Sequence, residues 1–209
     1  MTDTSKQTKQ ASDGKDGAAR EAKDAANNNA SAQTNLDVAK KAIKKLRQDD
    51  AKEAEKKESK ERKKIDDALD EVKKEASTAT TAAKNARGHA DKAQAAADDL
   101  ANKADAAISQ ASQDAKDLQT AKDALTKALK PANPNQAAVT AAKKVVEDAN
   151  TKLKNDLKDA TELVDAWIKA DDDAQAADDS ATQAEADAAA AEKAKVKVQK
   201  IADEKKRIH

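Results

Sequence analysis

Cysteine, tyrosine and phenylalanine are absent from this chain, and one tryptophan is its whole aromatic content. Without cysteine there is no disulfide framework and no thiolate chemistry. Large aliphatic side chains are scarce too: Leu, Ile and Val together number 24 in 209 residues. A core with a closed pocket needs such side chains to offset the conformational entropy of folding, so an enzyme-like domain is not expected. Glycine occurs only at Gly14, Gly17 and Gly88, and proline only at Pro131 and Pro134. No run approaches 18 apolar residues, and the opening MTDTSKQTKQ has no apolar core of a secretory signal. The expectation is a chain without a signal peptide, cytoplasmic or packaged within a particle or larger assembly.

What fills the space is alanine, 53 residues of it, with 40 basic and 40 acidic side chains. Alanine has the highest helix propensity, and lysine, glutamate and glutamine stand close behind. The fold class expected is all-α.

A spacing of three and four residues begins at Ile65 and runs Leu69, Val72, Ala76, Ala79, Ala83, Ala86, Ala90, Ala93, Ala97, Leu100, Ala104, Ala107 and Ala111. It continues through Ala115, Leu118, Leu125 and Leu129, with a local stutter expected between Ala111 and Leu118. Beyond the prolines it restarts at Val139 and passes Ala142, Val146, Ala149 and Leu153. Asp156 or Leu157 comes next, and Ala160, Leu163 and Trp167 follow, with small residues as far as Val198. Such a repeat is the apolar seam of a coiled coil. Proline removes a backbone donor and turns the preceding residue away from the helical region, so KPANPN reads as a turn. The two sides then pair as a long antiparallel Ala-rich coiled-coil hairpin. Its first arm spans 65–130, its turn 131–135 and its second arm 136–209, each arm about 110 Å at ~1.5 Å per residue.

The rest of the chain reads differently. Residues 1–35 contain no Leu, Ile or Val and are expected to form a disordered, flexible polar tail. Residues 36–64 read as a charged N-terminal helical extension that projects or folds back as a third strand of the bundle. Leu36, Ile43 and Leu46 give it a short apolar face, and 14 of the 18 residues from 47 to 64 are charged. Charge is segregated along the second arm: 171–192 carries eight acids and no base, and 193–209 carries seven bases and two acids. The acidic block is expected to face 75–96, which holds Lys84, Arg87 and Lys92, setting register more than adding stability.

Candidate sites are few. Trp167 is expected to fill the seam opposite Leu100, with a binding anchor as the other reading. DDDAQAADDS lacks the glycine and glutamate of a calcium loop, and neither His89 nor His209 has a second ligand in reach, so no metal or cofactor is expected. Nothing suggests a catalytic residue. Gly88 reads as a weak point or a close helix contact. The basic end, 193–209, could touch an anionic surface weakly. It has no aromatic side chain for base stacking, so no specific nucleic acid is expected. Interaction residues are expected at Leu36, Ile43, Leu46 and Trp167.

In its Ala, Lys and Thr usage the chain resembles late embryogenesis abundant proteins, although seven dominates its spacing where eleven dominates theirs. It is similar as well to the Ala/Lys/Glu stalks of TolA-type envelope proteins. The functional expectation is a non-enzymatic structural or scaffolding protein, a spacer or assembly component of a virion or filament, joined to other protein subunits as a homo-oligomer or larger complex. A stress protectant or surface-coating helix, as the first resemblance implies, and a receptor-binding stalk are the alternatives.

Overall fold

In the computed structural model, residues 2–48, 54–132 and 134–207 are described, with side chains from 4 to 46, 58 to 132 and 134 to 207. Three helices make up the described chain: α1 (Thr2–Gln48, 47 residues), α2 (Ala54–Leu129, 76 residues) and α3 (Gln136–Lys205, 70 residues). No strand occurs among the described residues. Pro131 ends α2, because the residue before a proline is pushed out of helical geometry, and Leu129 is the last helical residue. Asn135 then opens α3: its side-chain oxygen accepts from the backbone N–H groups of Ala137 at 3.0 Å and Ala138 at 3.3 Å. That is the satisfaction of orphan donors that makes asparagine a favoured N-cap. Of the expected turn, Asn133 lies outside the described residues, as do 49–53 of the expected charged extension and His209.

The expectation of a disordered tail over 1–35 is corrected: residues 2–48 form one helix. Its buried positions explain why. Ala11, Ala18, Ala25, Ala32, Ala39 and Leu46 recur at every seventh residue and are all buried. Each alanine buries little more than a methyl, on the order of 0.8 kcal/mol, but the repeat is continuous and alanine loses almost no side-chain entropy.

The chain divides into two compact units, and α2 and α3 contribute a segment to each. Unit 1 comprises Met1–Ala11 and Gln94–Asp172; unit 2 comprises Ser12–Ala93 and Asp173–His209.

Within unit 2, three helical segments share one core. Lys15 bridges Asp173 at 2.5 Å, Asn29 donates to Asp187 at 2.9 Å, and the Gln33 amide donates to the Ala190 carbonyl at 3.4 Å. Residue numbers rise together in these contacts, so α1 and α3 run parallel here. Against α2 the order is opposite: Gly14 meets Ala93, Gly17 meets His89, and Asn35 donates to Glu75 at 3.2 Å. Burial pushes the Glu75 carboxyl above its ordinary range, against the Asn35 hydrogen bond, which acts the other way. Between α2 and α3 the Asp66–Lys205 and Arg87–Glu185 pairs again run in opposite directions. Ile65, Val72, Ala79, Ala86, Ala93, Ala177, Ala184, Ala191 and Val198 lie between them, buried.

The glycines mark where α1 comes closest. A Cβ on Gly14 would lie 2.8 Å from the Ala93 Cβ and 2.8 Å from the His89 carbonyl oxygen, and one on Gly17 would lie 2.6 Å from the His89 ring. At Gly88 an added Cβ would meet nothing within 4 Å. The close helix contact therefore belongs to Gly14 and Gly17, and Gly88 is a weak point alone. Gly88→Ala is expected to raise stability by about 1 kcal/mol, the propensity difference in a helix interior, measured as a shifted urea midpoint at constant slope.

Unit 1 consists of the α2 segment 94–129, the α3 segment 136–172 and the first residues of α1. Gln7, itself buried, accepts a hydrogen bond from Lys103 at 2.9 Å. Leu100, Ala104, Ala111, Leu118 and Ala121 are buried on α2, and Val139, Ala160 and Ala170 on α3. The expected stutter through Ala115 does not occur. Asp114 takes the inner position and Ala115 is exposed, so the three–four spacing continues without interruption through Ala111, Asp114, Leu118 and Ala121. A buried carboxylate is tolerable there because Lys152 bridges it at 2.6 Å and Gln110 donates to it at 2.9 Å. On α3, Asp156 rather than Leu157 is the half-buried inner residue, and Leu157 is 50 % exposed. Leu129, expected on the seam, is also exposed.

Candidate interaction site

Leu36, Ile43 and Leu46 are buried on α1 inside unit 2. Their apolar face is used within the chain and offers no free surface. Trp167 lies in unit 1 and is 36 % exposed, whereas Leu100, on the facing helix, is fully buried. The indole is thus not the closed core filler expected of it.

The open apolar surface of unit 1 lies elsewhere, where Ile108 and Val164, which seam reading passes over, join residues of the expected seam. Ile108, Ala111 and Ala115 on α2 and Leu153, Leu157, Ala160 and Val164 on α3 line a groove of about 490 Å³. Ile108 is 49 % exposed, and Ile168 is half exposed one turn beyond Val164. Large apolar side chains gathered on one exposed face are the informative exception in a chain so poor in them.

Heptad position shows how unusual this is. In unit 2, Arg87 bridges Asp178 and Glu185, the latter at 2.8 Å, flanking the α2–α3 contact. The hydrogen bonds to Glu185 and Asp178 hold the Arg87 guanidinium above its ordinary value, and Arg87 holds the Glu185 carboxyl below the usual carboxylate range. Three heptads further along α2, Arg87 is replaced by Ile108; three heptads back along α3, Asp178 and Glu185 are replaced by Leu157 and Val164. Flanking positions that carry an ion-pair network in unit 2 carry aliphatic side chains in unit 1. The signal is present in the sequence at constant register, but it emerges only when the flanks are compared as well as the seam.

Next to this groove lies the ionic layer of Asp114, Lys152 and Asp156. Asp114 is 2 % exposed, and its Oδ2 is buried without a hydrogen-bond partner. When one proton is present, the Asp156 carboxyl donates it to the Asp114 carboxylate. That hydrogen bond, then burial, pushes Asp156 up, and the same bond together with Lys152 holds Asp114 down. Lys152 is held above its ordinary value by Asp114. Among the described residues no group of three or more His, Cys, Asp or Glu is placed to hold a metal ion. Nor is any helix long and apolar enough to cross a membrane, among the described residues.

No protein-family model, no curated protein and no solved structure matches the chain.

Proposed function

We propose that this is a non-enzymatic structural protein, an Ala-rich antiparallel coiled-coil hairpin that serves as a scaffold or assembly component and joins a second copy of itself through the apolar groove of unit 1. The observation that carries this reading is the replacement of Arg87, Asp178 and Glu185 by Ile108, Leu157 and Val164 at equivalent heptad positions. Charged flanks shield a two-helix contact from further association, and aliphatic flanks invite it. A second copy fits because two antiparallel helices set face to face on two more make a four-helix core. In that core Ile108, Leu157 and Val164 become interior positions. An arrangement of this kind suits a spacer or a repeating assembly unit.

Light scattering across a wide range of protein concentration tests it. The wild-type mass is expected to rise from 22.1 kDa toward twice that value as concentration increases. The Ile108→Asp, Leu157→Asp double variant is expected to keep its helical circular dichroism and remain a monomer throughout. A wild-type chain that stays monomeric at every concentration would overturn the self-association. A coil spectrum in dilute buffer that turns helical only with lipid would favour the surface-coating alternative.

A further inference from the structure

We infer that the furrow between α1 and α3 at the lysine-rich end of unit 2 binds the phosphate backbone of duplex nucleic acid, without regard to sequence. The inference rests on five lysines, two on α1 and three on α3, that the sequence places in groups about 150 residues apart and the fold brings to one flank. The Gln33 side chain reaches the Ala190 carbonyl, so both residues lie on the same side of the parallel α1–α3 contact. One heptad further along each helix, the same two positions are occupied by Lys40 and Lys197. Lys44 follows Lys40 by one turn on α1, and Lys193 and Lys200 stand one turn either side of Lys197 on α3. All five are exposed.

Earlier along the same contact the facing charges are matched, as in the Lys15–Asp173 bridge. Here lysine faces lysine, which opposes the docking of the two helices. Among the described residues, the acidic groups nearby pair with one of the five lysines and leave the other four. Asp37 pairs with Lys40 at 3.3 Å, and Asp203 pairs with Lys206 at 3.8 Å. Glu204 has a partner of its own. No ion pair among the described residues engages Lys44, Lys193, Lys197 or Lys200. The chain as a whole is neutral, so attraction to an anion has to come from a segregated patch of this kind.

The shape of the patch selects among anions. Two rows of ammonium groups flank a furrow one helix spacing wide, about 8–10 Å. A linear chain of phosphates can lie along it and be held from both sides; a flat lipid surface touches only its rims. With no aromatic side chain on this flank, bases cannot stack. The contacts then go to the backbone, where lysine acts as a point charge.

Fluorescence anisotropy with a labelled random-sequence DNA duplex and the full-length chain tests the inference at several salt concentrations. Wild-type protein is expected to bind with a steep salt dependence. Lys44→Gln, Lys193→Gln, Lys197→Gln, Lys200→Gln together should weaken binding at least tenfold at low salt. The log–log salt slope should fall by about 3–4, near 0.9 for each phosphate that is no longer neutralised. A matched variant with glutamine at Lys116, Lys122, Lys143 and Lys144, exposed in unit 1, changes net charge equally and should bind as wild type does. Circular dichroism confirms that both variants stay helical. Equal weakening by the two variants, no duplex binding by wild type, or binding only to phosphatidylserine vesicles would each overturn the inference.

Discussion

Gly14→Leu is expected to detach α1 from unit 2 and to cost about 3 kcal/mol, the upper part of the range for overpacking a close contact. The prediction is large because both obstacles are rigid. A Cβ at this position would stand 2.8 Å from a backbone carbonyl, that of His89, and 2.8 Å from the Ala93 Cβ. Neither can swing aside. Even Gly14→Ala should be destabilising, although alanine is the better helix former by about 1 kcal/mol. At Gly17 the obstacle is the His89 imidazole, a side chain that can rotate, so Gly17→Ala should cost less, and His89→Ala in the same chain should restore the loss. The effect is specific to docking and is not a general property of glycine replacement, since Gly88→Ala carries the opposite sign. Limited trypsin digestion provides the second readout. In Gly14→Leu, cleavage after Lys15, Arg20 and Lys23 should become fast while the α3 segment of unit 2 remains protected for longer. A Gly14→Leu chain as stable and as protease-resistant as wild type would show that α1 does not approach α2 closely here.

This contact also explains which part of the fold was legible in the sequence and which was not. On α2 and α3 the inner positions are mostly Ala, Leu and Val, so an apolar period of three and four residues is visible by inspection. Lys152 lies within one residue of where antiparallel pairing about the prolines places the partner of Asp114. On α1 every second inner position is polar or bare. Gly14, Glu21, Asn28 and Asn35 alternate there with Ala11, Ala18, Ala25 and Ala32. An apolar search sees only half the repeat, and the polar half reads as a mobile tail. Alanine recurring at every seventh residue from Ala11 to Ala39 was the available signal. The glycines were a second one, because glycine inside a helix has a cost that a close helix approach can justify.

The interaction surface escaped a seam-based reading for a related reason. Such a reading asks which residues point inward, and Leu157 then competes with Asp156 for the same inner position. Burial resolves the competition in favour of the aspartate, because Asp114 and Lys152 face it. Leu157 is thereby left outside, where it forms the groove with Ile108 and Val164. The buried charge and the exposed leucine are therefore one event. A polar layer inside unit 1 turns an aliphatic side chain outward by one residue, and the open face follows from it. Polar residues at inner positions are known to fix register at some loss of stability.

That layer makes unit 1 respond to acid in an unusual direction. Asp156 has its folded-state value raised by the hydrogen bond to Asp114 and by burial. Its contribution to stability is therefore complete below the ordinary carboxylate range and is lost as pH rises through the raised value. Asp114 is held below the ordinary range by Asp156 and Lys152, so its contribution is present above that range and is lost as pH falls through the lowered value. Between these limits one proton joins the two carboxylates. Lys152 remains charged throughout, with Asp117 adding to the attraction it feels, and the negative charge of Asp159 reinforces the repulsion on Asp156 at neutral pH. On acidification from neutral pH toward the ordinary carboxylate range, the melting midpoint of unit 1 should rise before falling at lower pH. Asp156→Asn removes one charge while leaving an amide to donate to Asp114. It should be more stable than wild type at neutral pH, by about as much as wild type gains on mild acidification, and its own midpoint should be flat over that interval. Asp114→Asn should behave differently, because it leaves Lys152 without its closest carboxylate, and should lose stability at neutral pH. Trp167, the single tryptophan and a resident of unit 1, reports this transition by fluorescence apart from the helicity of the whole chain. A Trp167 midpoint that falls steadily from neutral pH downward, in both wild type and Asp156→Asn, would mean that Asp114 and Asp156 share no proton.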